Sequence, residues 1–368
     1  MSGLMSDELL NLAGGIQQEP VDQRQLQSSN PTVAYNSDFV MEQLARARLQ
    51  AELAIPALRK YAPGAPPSEI GEMWAIIGFS EMVFAEDFCN GIPLSDAGPS
   101  GHITYGMPLT ADSVYGHSIA AFDSALRYAG DSARIAGFAA VGKARALLGR
   151  GQYSAASAAV AGIPVTFSYT ATIGQVTLSL WDPGQAAPYS MSDFEGGNGL
   201  NFIGANDPRL VTYQAGVGFD GVTPVIYPAK YPTGDTPIIV ADGIEAKLIV
   251  AEAALASGDA AGWLDTLNAL RTTEGGVTGL GPISDPGTAQ SRADTLFTER
   301  AFWLFGSGHR MGDLRRLVRQ YGRDQATVFP AGAYQGFGGG NYGTSVNFPI
   351  PNAERTNPNF KGCLDRKA

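Results

Sequence analysis

The chain has 368 residues, a formal net charge of −10 and only 16% charged residues. Such a chain offers no positive field for phosphates, which excludes a nucleic-acid or anionic-membrane surface, and no apolar run approaches the roughly 18 residues of a membrane-spanning helix. The length exceeds one ordinary core and suits two intimate subdomains or one large repeat-based domain, while 46 glycines and a largely uncharged polar complement suit exposure outside the cytoplasm.

The amino terminus, MSGLMSDELLNLAGG, lacks the basic stretch and apolar segment of a secretion signal. From Asp38 to Arg59, apolar residues fall at Val40, Leu44, Ala47, Ala51, Ile55 and Leu58. That spacing predicts one helix face, with Asp38 able to cap its start. APGAPP at 62–67 ends the helix, and Ser68 is expected to cap a second one carrying Ile70, Met73, Trp74, Ile77 and Met82. Residues 89–108, CNGIPLSDAGPSGHITYGMP, read as a loop. Helices are predicted over 111–128 and 132–149, and GRGQYSAASAAVAGI begins a shorter third. Helix pairs with glycine joints every 35–40 residues suggest a helical-repeat solenoid of the tetratricopeptide kind.

The middle differs. VTFSYT and QVTLSLW alternate and are rich in β-branched residues, and residues 165–240 carry much Gly, Pro, Tyr and Asp with little helical period. This reads as an irregular insertion of short strands and long loops, the kind of segment that carries function. Helices are predicted again over 241–257, 259–272, 290–305 and 311–321. A Gly-rich loop, AGAYQGFGGGNYGTS, then leads to the tail FPIPNAERTNPNF. The fold class expected is mostly α, a tetratricopeptide-like scaffold with an irregular part containing short strands. Its parts are 1–162, helical; 163–240, irregular; 241–325, helical; and 326–368, loop and tail, all within one domain.

Catalytic signatures fail one by one. GVGFDG (Gly216–Gly221) matches GxGxxG, but VTPVIYP follows it where a dinucleotide fold needs a helix. HRMGD lacks the other kinase elements, and no GxSxG nucleophile elbow is present. The three histidines, at 102, 117 and 309, form no HxH or HxxxH ligand pair. Glu86 and Asp87 are adjacent and so point about 100° apart on a helix. No cofactor and no metal site are expected. Cys89 and Cys363 form no CxxC; they are either two buried thiols or, in an oxidising compartment, one bridge from the tail to the first third.

The densest chemical stretch is TERAFWLFGSGHRMGDLRRLVRQYGR, residues 298–323. Glu299, Phe302, Gly306, His309 and Asp313 lie three or four apart, and Gly306 with Gly308 is expected to bend the chain between two helices. A His309–Asp313 acid/base couple is one reading. The favoured one is a buried polar network in which Arg300 and Arg310 pair with Glu299 and Asp313, and His309 bonds a backbone carbonyl.

Several segments together resemble the SusD/RagB family of outer-membrane nutrient-binding lipoproteins. ERAFWLFGSGHRMGDLRR followed by FPIPNAERTNPNF is similar to the family's late signature. NDPRL (206–210), then YPAKYPTGDTPIIVADGIEAKLIVAEAALASGD and LNALR, and the early FCNGIPLSD, resemble other family stretches in order. Ser307 and Met311 depart from the usual Glu and aromatic, and Trp303 replaces a usual acid. The family has several dozen residues before an sDEL-like segment, so this chain is expected to lack the region bearing the lipid anchor. The resemblance implies a non-enzymatic protein on the surface of a Gram-negative-type outer membrane, binding oligosaccharide or another small nutrient for a SusC-like TonB-dependent transporter. A protein-contact scaffold and a glycoside hydrolase using two distant acids are the alternatives. Sugar recognition calls for flat aromatic faces with amide and carboxylate partners. Candidates are Phe88, Asn90, Asp96, His102 and Tyr105 in the early loop. Trp181, Tyr189, Asp193, Phe194 and Asn198 are the candidates in the middle. The two loops are expected to form one face, with Trp181 and Tyr189 foremost.

Overall fold

The computed structural model describes residues 1–12, 18–27, 31–98, 102–171, 189–231 and 236–368, and of residues 31–36 the backbone alone. Its helices, in chain order, are α1 (Ser2–Met5), α2 (Glu19–Asp22), α3 (Pro31–Tyr61), α4 (Pro67–Asp87), α5 (Ala111–Tyr128), α6 (Ala133–Gly149) and α7 (Tyr153–Val160). They continue with α8 (Gly243–Ala256), α9 (Ala260–Ala269), α10 (Ala289–Trp303), α11 (Arg310–Arg319) and α12 (Gln325–Val328). The strands are β1 (Leu9–Asn11), β2 (Ile92–Pro93), β3 (Asp96–Ala97), β4 (Ile103–Thr104) and β5 (Pro108–Leu109). After them come β6 (Ser168–Ala171), β7 (Tyr189–Met191), β8 (Thr212–Val217), β9 (Pro224–Pro228) and β10 (Ile238–Asp242). They form two-stranded antiparallel pairs: β1 with β7, β2 with β5, β3 with β4, β6 with β10 and β8 with β9.

Each long helix packs on the next, from α3 through α9, so the helical solenoid is observed. The packing of α7 directly on α8 shows that the stack is continuous across the long sequence interval between Val160 and Gly243. Side-chain oxygens of Thr110, Ser132, Asp242, Asp259 and Thr288 accept from backbone N–H groups three residues on and start α5, α6, α8, α9 and α10. Each such cap is worth about 1 kcal/mol.

On α5 the buried residues Val114, Tyr115, Ser118, Ala121, Phe122 and Ala125 keep a helical spacing. Phe122 fills the space between α4 and α6, where Gly78 and Gly142 leave room for its ring. A Cβ at Gly142 would lie 2.3 Å from that ring.

Two starts differ from the sequence reading. The first long helix begins at Pro31, so Asp38 lies within it, and its inward face carries Met41, Arg48, Ala51 and Ile55 while Ala47 is exposed. Arg48 takes that inward place because Glu81 and Asp96 meet its guanidinium at 2.9 and 2.7 Å. The second helix starts at Pro67 after Pro66, and Ser68 lies inside it without capping it, because prolines already suit the first turn. VTFSYT contributes its last residues to β6, whereas QVTLSLW lies outside the described residues. GVGFDG is the end and turn of the β8–β9 hairpin, closed by Asp220, which accepts from the Val222 and Thr223 N–H groups.

The first core gathers residues of the amino terminus, α4 to α8 and the middle strands. The second gathers Trp263, Leu267, Leu296, Phe297, Leu314 and Phe329 from α9 to α12 and the following loop. Cys89 and Cys363 are disulfide-bonded, which ties the tail to the end of α4.

Candidate functional site

The stretch 298–323 forms the end of α10, a glycine corner and α11. Arg300 grips Asp313 through Nε and Nη2 at 2.7 and 3.0 Å, and Arg316 Nη2 reaches the same carboxylate at 2.8 Å. Burial acts to raise the Asp313 carboxyl, but Arg300 and Arg316 overcome it and hold it below the usual carboxylate range. The other expected pairings change. Arg310 binds Asp7 (Nη2–Oδ2 2.7 Å) because the amino-terminal segment packs on α11. Glu299 is taken by Arg209 and Arg271, each at 2.7 Å. His309 faces side chains, not a carbonyl: its Nδ1 is 2.7 Å from Ser307 Oγ, and its Nε2 is 3.0 Å from Glu245 Oε1 and 2.9 Å from Arg145 Nη1.

Ser307, His309 and Glu245 have the composition of a nucleophile triad, but the geometry does not serve one. The Ser307 hydroxyl donates to the Leu304 carbonyl, so its proton is not offered to His309. The cavity beside them measures about 10 Å³, room for about one water and no substrate.

The early loop divides. Phe88 is wholly buried, packed against Phe84 and Phe348 with ring centroids at 6.0 and 5.8 Å, so it is a core residue and not a ligand platform. It follows α4 directly and bridges Phe348 of the tail, whose ring covers it. Asn90 is also structural: its Oδ1 accepts from the Ala111 N–H at the start of α5, and its Nδ2 donates to Asp365. Asp96, His102 and Tyr105 are exposed.

Asp96 and Ile103, on the β3–β4 hairpin, wall a groove of about 470 Å³ against α3 and the tail. Met41, Leu49 and Ile103 give it an apolar surface, and Asp38, Asp96 and Glu354 give it carboxylates. Asp38 Oδ1 is buried there without a partner. Burial raises the Asp38 carboxyl, against the Ala353 N–H, while burial and then Asp38 raise Glu354. Sequence reading missed Asp38, Met41 and Glu354; the only signal was Glu354 inside the tail motif, and no local pattern ties a tail to the first long helix.

The middle residues lie elsewhere. Trp181 is outside the described residues. Tyr189, half-buried on β7, packs against the first core, and burial and then Asp22 push its hydroxyl up to about 12. Asp193 accepts from the Ile203 and Gly204 N–H groups, both at 3.1 Å. Asn198 donates to the Ala326 and Phe329 carbonyls at 3.2 and 2.8 Å. Of these, Phe194, at 53%, and Asn198 are exposed, and Phe194 is the one whose side chain is not engaged by the hydrogen bonds above. The groove at Asp96 contains none of these four, so the structure does not join the two loops in that cavity.

Gln335 donates to the Phe194 carbonyl and brings the Gly-rich loop beside it. There Phe219 and Phe337, 71% and 43% exposed, form an edge-to-face pair at 5.6 Å. Sequence reading passed over both; the signal was glycine beside each ring, on both sides of Phe337 and before Phe219, which leaves little local side chain to cover it.

No family model matches the sequence, and no curated protein is similar to it. Solved structures are. A SusD superfamily protein from Bacteroides vulgatus superposes with a TM-score of 0.70 at 16% identity, over 99% of this chain and 93% of that one. A SusD superfamily protein from Parabacteroides distasonis gives 0.71 at 12% identity, over 99% and 92%.

The chain has the SusD fold.

A surface glycan-binding protein A from Bacteroides uniformis, at 14% identity and a TM-score of 0.66, covers 98% of this chain and 92% of its own. The helical stack from α3 to α9 is part of that fold. In this chain the arginine-rich corner at α10–α11 is where the late sequence signature falls. Among the described residues no group of three or more His, Cys, Asp and Glu could hold a metal, and no helix is long and apolar enough to cross a membrane.

Proposed function

We propose that this protein binds oligosaccharides at the surface of an outer membrane and passes them to a TonB-dependent transporter, without a catalytic step. The observation that carries the reading is the groove between α3, the β3–β4 hairpin and the tail. Its volume of about 470 Å³ suits a short sugar chain. Its apolar patches can cover pyranose CH groups while Asp38, Asp96 and Glu354 accept from hydroxyls. The same fold in a protein named for surface glycan binding supports the sugar class, and the transporter partner follows from the sequence resemblance. The exposed pair Phe219–Phe337 offers the same ligand class an aromatic surface outside the groove.

A glycan array followed by calorimetry tests this. Wild-type protein is expected to bind oligosaccharide, and Ile103→Asp to weaken binding about tenfold by charging the apolar wall. Folded protein that binds no glycan but captures an outer-membrane transporter would leave the contact-scaffold reading. Turnover of an oligosaccharide, abolished by one carboxylate substitution, would make it a hydrolase.

A further inference from the structure

On an acidic chain, one pocket is lined by three arginines. It lies between the start of α5, the turn after α6 and the outer side of α11, with a volume of about 350 Å³. Arg315 is the unusual member. It is only 3% exposed, and both of its hydrogen bonds leave from Nη1, to the Ala85 and Glu86 carbonyls. Its Nε is buried with no hydrogen-bond partner. A guanidinium presents Nε and one Nη as a fork that matches the two oxygens of a carboxylate or sulfate. Among the described residues no side-chain carboxylate fills that fork.

The surroundings favour the same chemistry. Arg319 lines the pocket, exposed, with one nitrogen on the Gly149 carbonyl at 2.9 Å. Arg150 holds Asp112 bidentately at 2.9 and 3.1 Å, which neutralises the one acidic side chain in the lining. The first residues of α5 add the positive end of an 18-residue helix. There Asn90 accepts from the Ala111 N–H and Thr110 from that of Ser113. Facing negative groups are Asp365, bound by Asn90, and the carboxyl end at Ala368 on the rim, with Glu86 and Asp87 behind. Glu86 is already matched by Arg145 at 2.6 Å. Burial lowers the Arg315 guanidinium to about 10, so it remains a cation at neutral pH and gains from an anionic partner.

We propose that this pocket is an oxyanion site that takes the carboxylate or sulfate group of an acidic sugar, with Arg315 as the fork and Arg319 as the closing cation. The sugar part rests on the function proposed above; the oxyanion part does not.

The test titrates the full chain with sodium sulfate, with galacturonate and with glucose, at constant ionic strength, by calorimetry and by amide chemical shifts. Sulfate and galacturonate are expected to bind saturably and in competition, with shifts at Gly149–Arg150 and α11, and glucose not to compete. Arg319→Gln and Arg150→Gln, both at exposed positions, are expected to weaken sulfate about tenfold each, as loss of one charge-assisted hydrogen bond does. Arg315→Lys, where it folds, keeps the charge and loses the fork, and is expected to weaken both anions. Absence of saturable sulfate binding, or sulfate binding unmoved by Arg319→Gln, overturns the site. Sulfate binding that galacturonate does not compete with overturns the acidic-sugar class. Neutral glycan binding without any anion binding overturns this inference and leaves the proposed function standing; anion binding without any glycan binding does the reverse.

Discussion

Asp313 sits between two arginines with almost no water, and its contribution to stability follows from that placement. Removing one partner of a buried ion pair strands the other, at a cost of about 3–5 kcal/mol. Asp313→Ala is therefore expected to lower the unfolding free energy in urea by that order, with the folded fraction still binding ligand. Because Arg300 and Arg316 depress this carboxyl against its burial, its contribution is complete above the ordinary carboxylate range and is lost as pH falls below it. His309→Ala removes the group nearest Glu245, leaving it only the Arg145 and Arg300 charges, and is expected to lower the melting temperature without changing ligand affinity. Lost ligand binding at unchanged stability would return this corner to the ligand site. The sequence showed that these residues belong together, since they lie three and four apart. It did not show which cation meets which acid, because Asp7, Arg209 and Arg271 arrive from distant segments.

At the level of elements, the caps at Thr110, Ser132, Asp242, Asp259 and Thr288 are local chemistry, and helix starts predicted near them fall within a residue or two. α3 begins at Pro31, seven residues before Asp38, and α4 opens at Pro67 after Pro66 without a side-chain cap, since proline suits a helix's first turn. Phe122 illustrates packing that no local pattern shows. Gly142→Ala would push a methyl into its ring and is expected to cost about 1–3 kcal/mol by overpacking, seen as an earlier midpoint in urea. The Cys89–Cys363 bridge closes a sequence separation of 274 residues. Loop-closure entropy then predicts that Cys363→Ser lowers stability by about 2–5 kcal/mol, and that reductant has the same effect on the wild type and none on the variant. The same tail forms one wall of the groove, so the variant is also expected to bind oligosaccharide more weakly.

For the whole molecule, the titration of buried acids sets the pH response. Burial, ahead of all other causes, raises the carboxyls of Glu8, Asp22 and Asp87 to about 7. A carboxyl raised in the fold binds its proton more tightly there than in the unfolded chain. Folding is then favoured below the ordinary carboxylate range, and that advantage is lost as pH rises from about 4 to about 7. Asp313 and Glu245, depressed by their cationic neighbours against burial, act only at lower pH and in the opposite sense. The melting temperature is expected to be highest near pH 5 and to fall toward pH 8; a curve that rises over that interval would show these acids to be charged and satisfied in the native protein. The sequence alone determined the helical class, the repeat-like spacing and the looped-out middle, because periodicity, caps and glycine breaks act over a few residues. The glycines beside Phe219 and Phe337 mark two exposed rings in the same local way. The tertiary structure alone decided that Phe88 is core, that the tail and the first long helix share a groove, and that Arg315 keeps an open fork. Each of those depends on which distant segments meet, and contact between distant segments leaves no local period in the chain.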